Sequence, residues 1–368
     1  MSVKAQSSLT FYGLIDVGLN YRTSDGANPE TGKSASAVSL SSSNEQTSRW
    51  GLVGYEELGN GMKATFRLES GFNAATGVGN FGLPFTNDTN SLFDRGASIG
   101  IISPYGTITG GRVYSPLRDA LVAADASGYL NFGSLSTILY QNSSNVSPAL
   151  GLAGKTTGTY SLVNGGLLYT WVNNSIKYTI PDNTYGFSGG ALYSFGGTAG
   201  SLKNKSTWSA NLNWTNGTIS LISGYYSASD PGGVTSNSWL RAFTLGLLYA
   251  TGPVQLGFDF TNIRNPTTGA NQDFFYTSAR WQITSFVSVV TDWIYLKDLQ
   301  NGQASSDLYK LEANYSLSKS TALYTGVGFV NNKPQGVLGS CGFASPMLSP
   351  ALMGHNQLSI IAGIRKFF

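Results

Sequence analysis

Apolar and polar residues alternate strictly along short stretches of this chain. Between Ser206 and Trp214, residues Trp208, Ala210, Leu212 and Trp214 share one parity, while Ser209, Asn211 and Asn213 share the other. Successive side chains of a strand point to opposite faces, so such a stretch has one oily face and one wet face. The first stretch sets Leu9, Phe11, Ile15, Val17 and Leu19 against Thr10, Tyr12, Asp16 and Asn20. In Met62 to Gly71, apolar Met62, Ala64, Phe66 and Leu68 alternate with Lys63, Thr65, Arg67 and Glu69. All the charges fall on one parity, which is expected to face an interior. Gly59-Asn60-Gly61, whose residues tolerate positive φ, predicts a tight hairpin just before it.

The same alternation predicts strands over 49–58, 91–103 and 107–114, after a polar stretch from Thr23 to Ser43 read as a loop. It collapses between Ser115 and Thr170, a loop of a length that is usually functional or disordered. It resumes over 172–180, 185–195, 206–214, 219–226, 240–249, 254–263, 274–283, 286–297, 308–317, 321–330 and 357–368. That makes about 16 strands, an even number, with short and long connections alternating. Aromatics such as Trp208, Tyr249, Trp281, Trp293, Tyr309 and Tyr315 fall near segment ends on the oily parity. The fold class expected is therefore all-β, a transmembrane antiparallel β-barrel with aromatic girdles and an oily outer face. In the strands over 91–103 and 107–114, Gly96, Ser98 and Gly100 share one parity, as do Thr109, Gly111 and Val113. Small residues suit protein contact better than lipid, so these are expected to face outward against neighbouring copies.

Composition sharpens the picture. Charged residues make up 11% of the 368 residues, where a soluble domain has roughly 25%. Mean hydropathy is nevertheless only −0.05, because the apolar residues are spread along one side of many strands. No uncharged run approaches the roughly 18 apolar residues that a membrane helix needs. A chain of this kind meets a bilayer as a closed barrel or not at all. A net charge of +3 without a Lys/Arg run gives no reason to expect nucleic acid as a partner. The lone Cys341 permits no intrachain disulfide. Val3-Lys4-Ala5 has the small-x-small pattern that precedes signal cleavage, so residues 1–5 read as a remnant of a signal peptide or of a vector, with the barrel spanning 6–368.

Catalytic and cofactor chemistry find little support. His355, the single histidine, sits in the polar stretch before the last strand and reads as a solvated loop residue rather than a general base. Cys341 has no basic neighbours to activate it. The G-x-G-x-x-G match at Gly77 to Gly82 lacks a strand–helix unit, and Gly154-Lys155-Thr156 is preceded by Ala149 where a phosphate loop needs glycine. No cofactor and no metal are expected, and no enzyme.

An ordered set of short motifs then resembles a known family, the trimeric Gram-negative general porins, and most closely those of β-proteobacteria. The residues are Leu9-Thr10-Phe11-Tyr12-Gly13; Ser48-Arg49-Trp50-Gly51-Leu52 running into Glu56-Glu57-Leu58-Gly59-Asn60-Gly61; Leu68-Glu69-Ser70-Gly71-Phe72; Leu92-Phe93-Asp94-Arg95; Gly111-Arg112-Val113-Tyr114-Ser115-Pro116-Leu117; Val172-Asn173-Asn174-Ser175-Ile176-Lys177-Tyr178; and the ending Gly363-Ile364-Arg365-Lys366-Phe367-Phe368. The resemblance implies a homotrimer of sixteen-stranded barrels in the outer membrane, among lipid and lipopolysaccharide, with Phe368 as the signal read by the barrel-assembly machinery. It implies that the third extracellular loop, 115–170, folds inward as a constriction. Wall arginines Arg49, Arg95 and Arg112 would face loop acids Asp119 and Asp125.

Parity adds Arg67, Asp16 and Glu69 to the lumen, with Lys177 as a further cation, since an arginine facing lipid near mid-membrane would cost roughly 2–4 kcal/mol. Two departures from the family pattern stand out. Trp171 occupies an inward position where another arginine is expected, and the loop is long, with 134–169 as the excess. The function expected is passive diffusion of small hydrophilic solutes and ions with weak anion preference. The alternatives are a porin preferring small organic, aromatic acids that dwell on Trp171, and a structural or adhesive surface barrel.

Overall fold

The computed structural model describes residues 7–25, 28, 30–79, 91–135, 170–181, 185–230, 232–267, 269–336, 338–339 and 354–368. The remnant assigned to 1–5, Cys341, the second half of the glycine motif at 77–82, the phosphate-loop look-alike at 154–156 and the loop excess from 136 to 169 lie outside these residues. The strands in chain order are β1 (Ser7–Arg22), β2 (Ala37–Ser42), β3 (Arg49–Gly59), β4 (Met62–Gly71), β5 (Gly96–Ser103), β6 (Gly106–Tyr114), β7 (Trp171–Thr179), β8 (Phe187–Ser194), β9 (Thr207–Thr215), β10 (Ile219–Ser229), β11 (Ser238–Thr251), β12 (Val254–Arg264), β13 (Asn271–Gln282), β14 (Val287–Asp298), β15 (Ser306–Ser316), β16 (Thr321–Asn332) and β17 (Gln357–Phe367). One helix, α1 (Pro116–Ala124), follows β6.

Neighbours pair antiparallel, and β17 returns to β1 to close the wall, with Leu14 opposite Phe367 and Arg22 opposite Ser359. Gly13 and Phe368 extend the seam by exchanging backbone hydrogen bonds of 3.0 Å in both directions. Closure is what lets a sheet stand in hydrocarbon, because it leaves no unpaired edge.

Among the described residues the strands number 17, yet the barrel has 16 wall positions, because β2 and β3 share one. β2 pairs with the second half of β1 and β3 with its first half. Between them residues 43–48 leave the wall and turn inward. The excursion is held by Asp16 of β1, whose Oδ2 accepts the amides of Glu45 at 2.8 Å and Gln46 at 2.7 Å. From sequence, Ala37–Ser42 reads as part of a loop. The outward parity of β2 carries only Val38 and Leu40 among serines, too short an alternation to stand out against its polar surroundings.

Outside β5 and β6 the oily parity faces out as expected: Leu9, Phe11, Leu19, Leu212 and Leu245 are all exposed on the outer surface. For β5 and β6 the expectation is inverted. Ile99 (69% exposed) and Ile108 (58%) point outward, whereas Gly96, Ser98, Gly100, Thr109 and Val113 line an interior cavity. The large aliphatics take the lipid side, and the small residues leave room inside. They are not an outward contact surface.

Inside, α1 lies on the inward parity of β9 to β12. Ser115 caps it, its Oγ accepting Arg118 N at 3.1 Å, and Pro116 sits in the first turn. Leu117, Ala120, Leu121 and Ala124 recur at helical spacing and form its buried face. Leu117 N donates to Ser209 Oγ at 3.0 Å, and Ala126 N to Ser278 Oγ at 3.0 Å. The wall makes room with glycine: a Cβ on Gly246 would fall 2.7 Å from that of Ala124. Beyond the helix, Asn131 reaches the excursion, its Nδ2 donating to Ser43 O at 2.9 Å and its amide to Glu45 O at 2.5 Å. An apolar core including Leu117, Leu121, Leu135, Tyr226, Phe274, Ile294 and Leu308 packs beneath this segment, so one side of the interior is filled and the other is left open.

Gly246→Val should force α1 off the wall at a cost of about 1–3 kcal/mol. The expected readout is faster proteolysis within 116–135 in the folded barrel, with the strand circular dichroism unchanged. Equal proteolysis rates would show that the helix is not seated there.

Candidate channel constriction

The open side of the interior forms two connected lobes. The lobe nearer the short turns has a volume of about 470 Å³ and is lined by residues such as Tyr55, Thr65, Gly100, Thr109 and Thr179. The lobe nearer the long loops has about 360 Å³ and is lined by Gln46, Thr47, Tyr129 and Thr170. Arg49, Arg67, Arg95 and Tyr114 line both, so they stand at the waist. Alternation on β3 and β4 puts Arg49, Arg67 and Glu69 on the inward parity, and Arg112 and Lys177 reach the same space from β6 and β7.

So many like charges need a counter-charge, and Glu69 is central to it. Its buried carboxylate accepts Arg95 Nε at 2.8 Å, Arg67 Nη2 at 2.6 Å and the Tyr12 hydroxyl at 2.7 Å, with Arg49 Nε 3.8 Å away. Arg112 donates to Asp94 O at 2.6 Å and to Asn173 Oδ1. Aromatic faces take up the remaining guanidinium surface. Arg95 stands 4.9 Å from the Trp171 ring centroid, Arg67 lies 5.5 Å from Tyr114, and Arg118 lies 4.1 Å from Tyr114 and 5.0 Å from Tyr129. A guanidinium is planar and weakly hydrated, which makes it suited to such stacking.

The sequence-derived residues therefore separate into groups. Arg49, Arg67, Arg95, Arg112, Glu69, Asp119, Lys177 and Trp171 all line the lobes. Asp119 shares a lobe with the wall arginines but is paired with nearer cations. Its Oδ2 accepts Lys177 Nζ at 2.5 Å, and its Oδ1 lies 3.4 Å from Arg118 Nη1. Asp125 lines neither lobe. It ends α1 facing the wall, where its carboxylate accepts Ser127 N at 2.7 Å, Tyr129 N at 3.1 Å and the Tyr276 hydroxyl at 2.6 Å. Asp16 also lines neither, being buried under the excursion and hydrogen-bonded by Tyr324 Oη at 2.5 Å. Trp171 is 4% exposed, with Arg95 and Tyr114 against its ring. Arg118, Tyr114, Tyr129 and Tyr12 were not singled out from sequence. The apolar spacing of 117, 120, 121 and 124 would have revealed a helix and placed Arg118 on its polar side.

A cationic waist inside a closed barrel is the arrangement of a pore, and relatives point the same way. A family model described as Gram-negative porin matches residues 2–335. The chain belongs to the Gram-negative porin family. Its place is the Gram-negative outer membrane. This porin is 27% identical over 376 residues to outer membrane porin protein 32 of Delftia acidovorans, covering 99% of this chain and 95% of that one. It is 28% identical over 274 residues to an outer membrane porin protein of Bordetella pertussis, a match spanning 72% of this porin and 57% of the relative. The fold is shared with an anion-selective porin from Comamonas acidovorans at a TM-score of 0.78 and 22% identity over 99% of this chain and all of that one. It is shared with Vibrio cholerae OmpT in its trimer form at 0.64 and 13%, over 98% and 99%.

Glu69→Gln removes the counter-charge from beneath Arg95 and Arg67, and breaking a buried pair from one side costs about 3–5 kcal/mol. A lower denaturation midpoint for the variant barrel in detergent is expected. An unchanged midpoint would mean that water, not Glu69, sustains the guanidinium cluster.

Proposed function

We propose that this porin passes small hydrophilic solutes and ions by passive diffusion through the two lobes, with a weak preference for anions. The observation that carries the reading is the charge at the waist. Arg49, Arg67, Arg95, Arg112, Arg118 and Lys177 line the lobes, and the carboxylates among the lining residues are Glu69 and Asp119, each already engaged by cations. Rings of arginine and lysine favour anions in a narrow pore. The anion-selective porin from Comamonas acidovorans, alike in fold, supports the reading by analogy. Burial of Trp171 supports a spacer role for it, keeping Arg95 in place, over an open platform for aromatic acids. Passage by diffusion needs no cofactor.

The same reading includes a homotrimer among outer-membrane lipid and lipopolysaccharide, with Phe368 presented to the assembly machinery. Support for the trimer comes from the trimer form named for the Vibrio relative and not from small outward residues, which β5 and β6 turn inward.

Reversal potentials in a potassium chloride gradient test the preference. Chloride is expected to outrun potassium, most strongly near 0.01 M, where screening lengths are ~30 Å, and least near 1 M, where they fall to ~3 Å. A cation preference at low salt would end this reading. Mass measurement of the folded protein in detergent should give three chains per particle, and a folded monomer would contradict the trimer.

A further inference from the structure

The corner where β6 turns into α1 carries Tyr114 and Arg118, the pair whose ring and guanidinium stand 4.1 Å apart at the waist. One side chain from the next strand holds both sides of that corner. Lys177 of β7 donates from Nζ to Tyr114 O at 3.1 Å, the last residue of β6, and to Asp119 Oδ2 at 2.5 Å, in the first turn of α1. The Lys177 side chain is largely buried, with 13% exposed, at the edge of the lobe that it lines.

We propose that Lys177 is a positioning residue for selectivity: it pins the β6–α1 corner and offsets the charge of the Asp119 carboxylate, which faces the lobe with a third of its side chain exposed. The inference rests on the channel reading above. As an independent lumenal cation, Lys177 would contribute only its charge. As a pin, its removal does two things together. It leaves the Asp119 carboxylate with Arg118 as the cation beside it in the lobe nearer the short turns, so that lobe gains net negative charge, and it loosens the corner that sets the Tyr114 ring between the lobes. Removing Asp119 also loosens the corner but frees a cation instead. The two substitutions therefore shift ion preference in opposite directions and gating in the same direction, a pattern that independent charges do not produce.

Planar-bilayer recordings of the full-length porin decide the matter, comparing wild type with Lys177→Met, Asp119→Ala, Lys177→Arg and the charge swap Lys177→Asp with Asp119→Lys. Lys177→Met should lower the anion-to-cation permeability ratio and Asp119→Ala should raise it. Both should increase the frequency of brief closures, by about threefold to fivefold for a partly buried pair. Lys177→Arg, which keeps the charge and the donors, and the swap, which restores the pair, should return closures to the wild-type frequency.

Open-state steps report a folded barrel in every trace. Should Lys177→Met yield no channels, Asp119→Ala against the swap decides alone. Unchanged closures in the single variants, or closures that the swap leaves elevated, would overturn the proposal. A cation-preferring wild type with this gating pattern intact would instead overturn the proposed anion preference and leave the pin standing.

Discussion

In hydrocarbon no backbone amide can be left without a partner, and the architecture of this porin follows from that constraint. It forces β17 back onto β1, down to the last residue, where Gly13 and Phe368 exchange hydrogen bonds. It also dictates where the wall can be broken. Residues 43–48 leave the ladder between β2 and β3, and a break on the lipid side would strand their polar groups. They turn inward, where Asp16 and Asn131 meet them. A carboxylate that reads in sequence as one more lumenal charge is thus committed to holding the wall together.

The inward excursion has a second consequence. It gives the segment after α1 something to bind on the far side, so residues 116–135 run from the inner faces of β9 to β13 to the carbonyls of Ser43 and Glu45. An apolar core forms beneath them and fills one side of the interior. The open space is left against β3 to β7, where the inward positions are arginine, glycine, serine and threonine. Small residues on β5 and β6 widen the lumen, and guanidiniums clustered on Glu69 and aromatic rings define its waist. Concentrating positive charge is tolerable there because each guanidinium is planar and stacked or paired.

Much of this was legible from the chain. Strict alternation located the strands, and the parity of Arg67 and Glu69 located the lumen, because lipid leaves a charged side chain only one face to occupy. The legible part ended where local pattern stopped being decisive. Ala37–Ser42 is a strand by its partner, β1, and not by its own composition. The parity of Gly96, Ser98 and Gly100 was visible, but its direction depended on weighing Ile99 and Ile101 as the lipid-facing set. Asp119 lies in the first turn of α1 and Asp125 caps its far end, yet one meets Lys177 and the other Tyr276. Their separation follows from the helical turn between them and from which wall α1 lies against, a long-range fact. The burial of Trp171 likewise depends on Tyr114 and Arg95 arriving from other strands.

The account stands on a waist whose field attracts anions, and the ions themselves can be located. Crystals of the porin soaked in bromide and, separately, in rubidium would show the distribution by anomalous scattering. Bromide should concentrate beside Arg49, Arg67, Arg95 and Arg118, with no rubidium at the waist. Rubidium bound there, beside Glu69 or Asp119, would contradict the account.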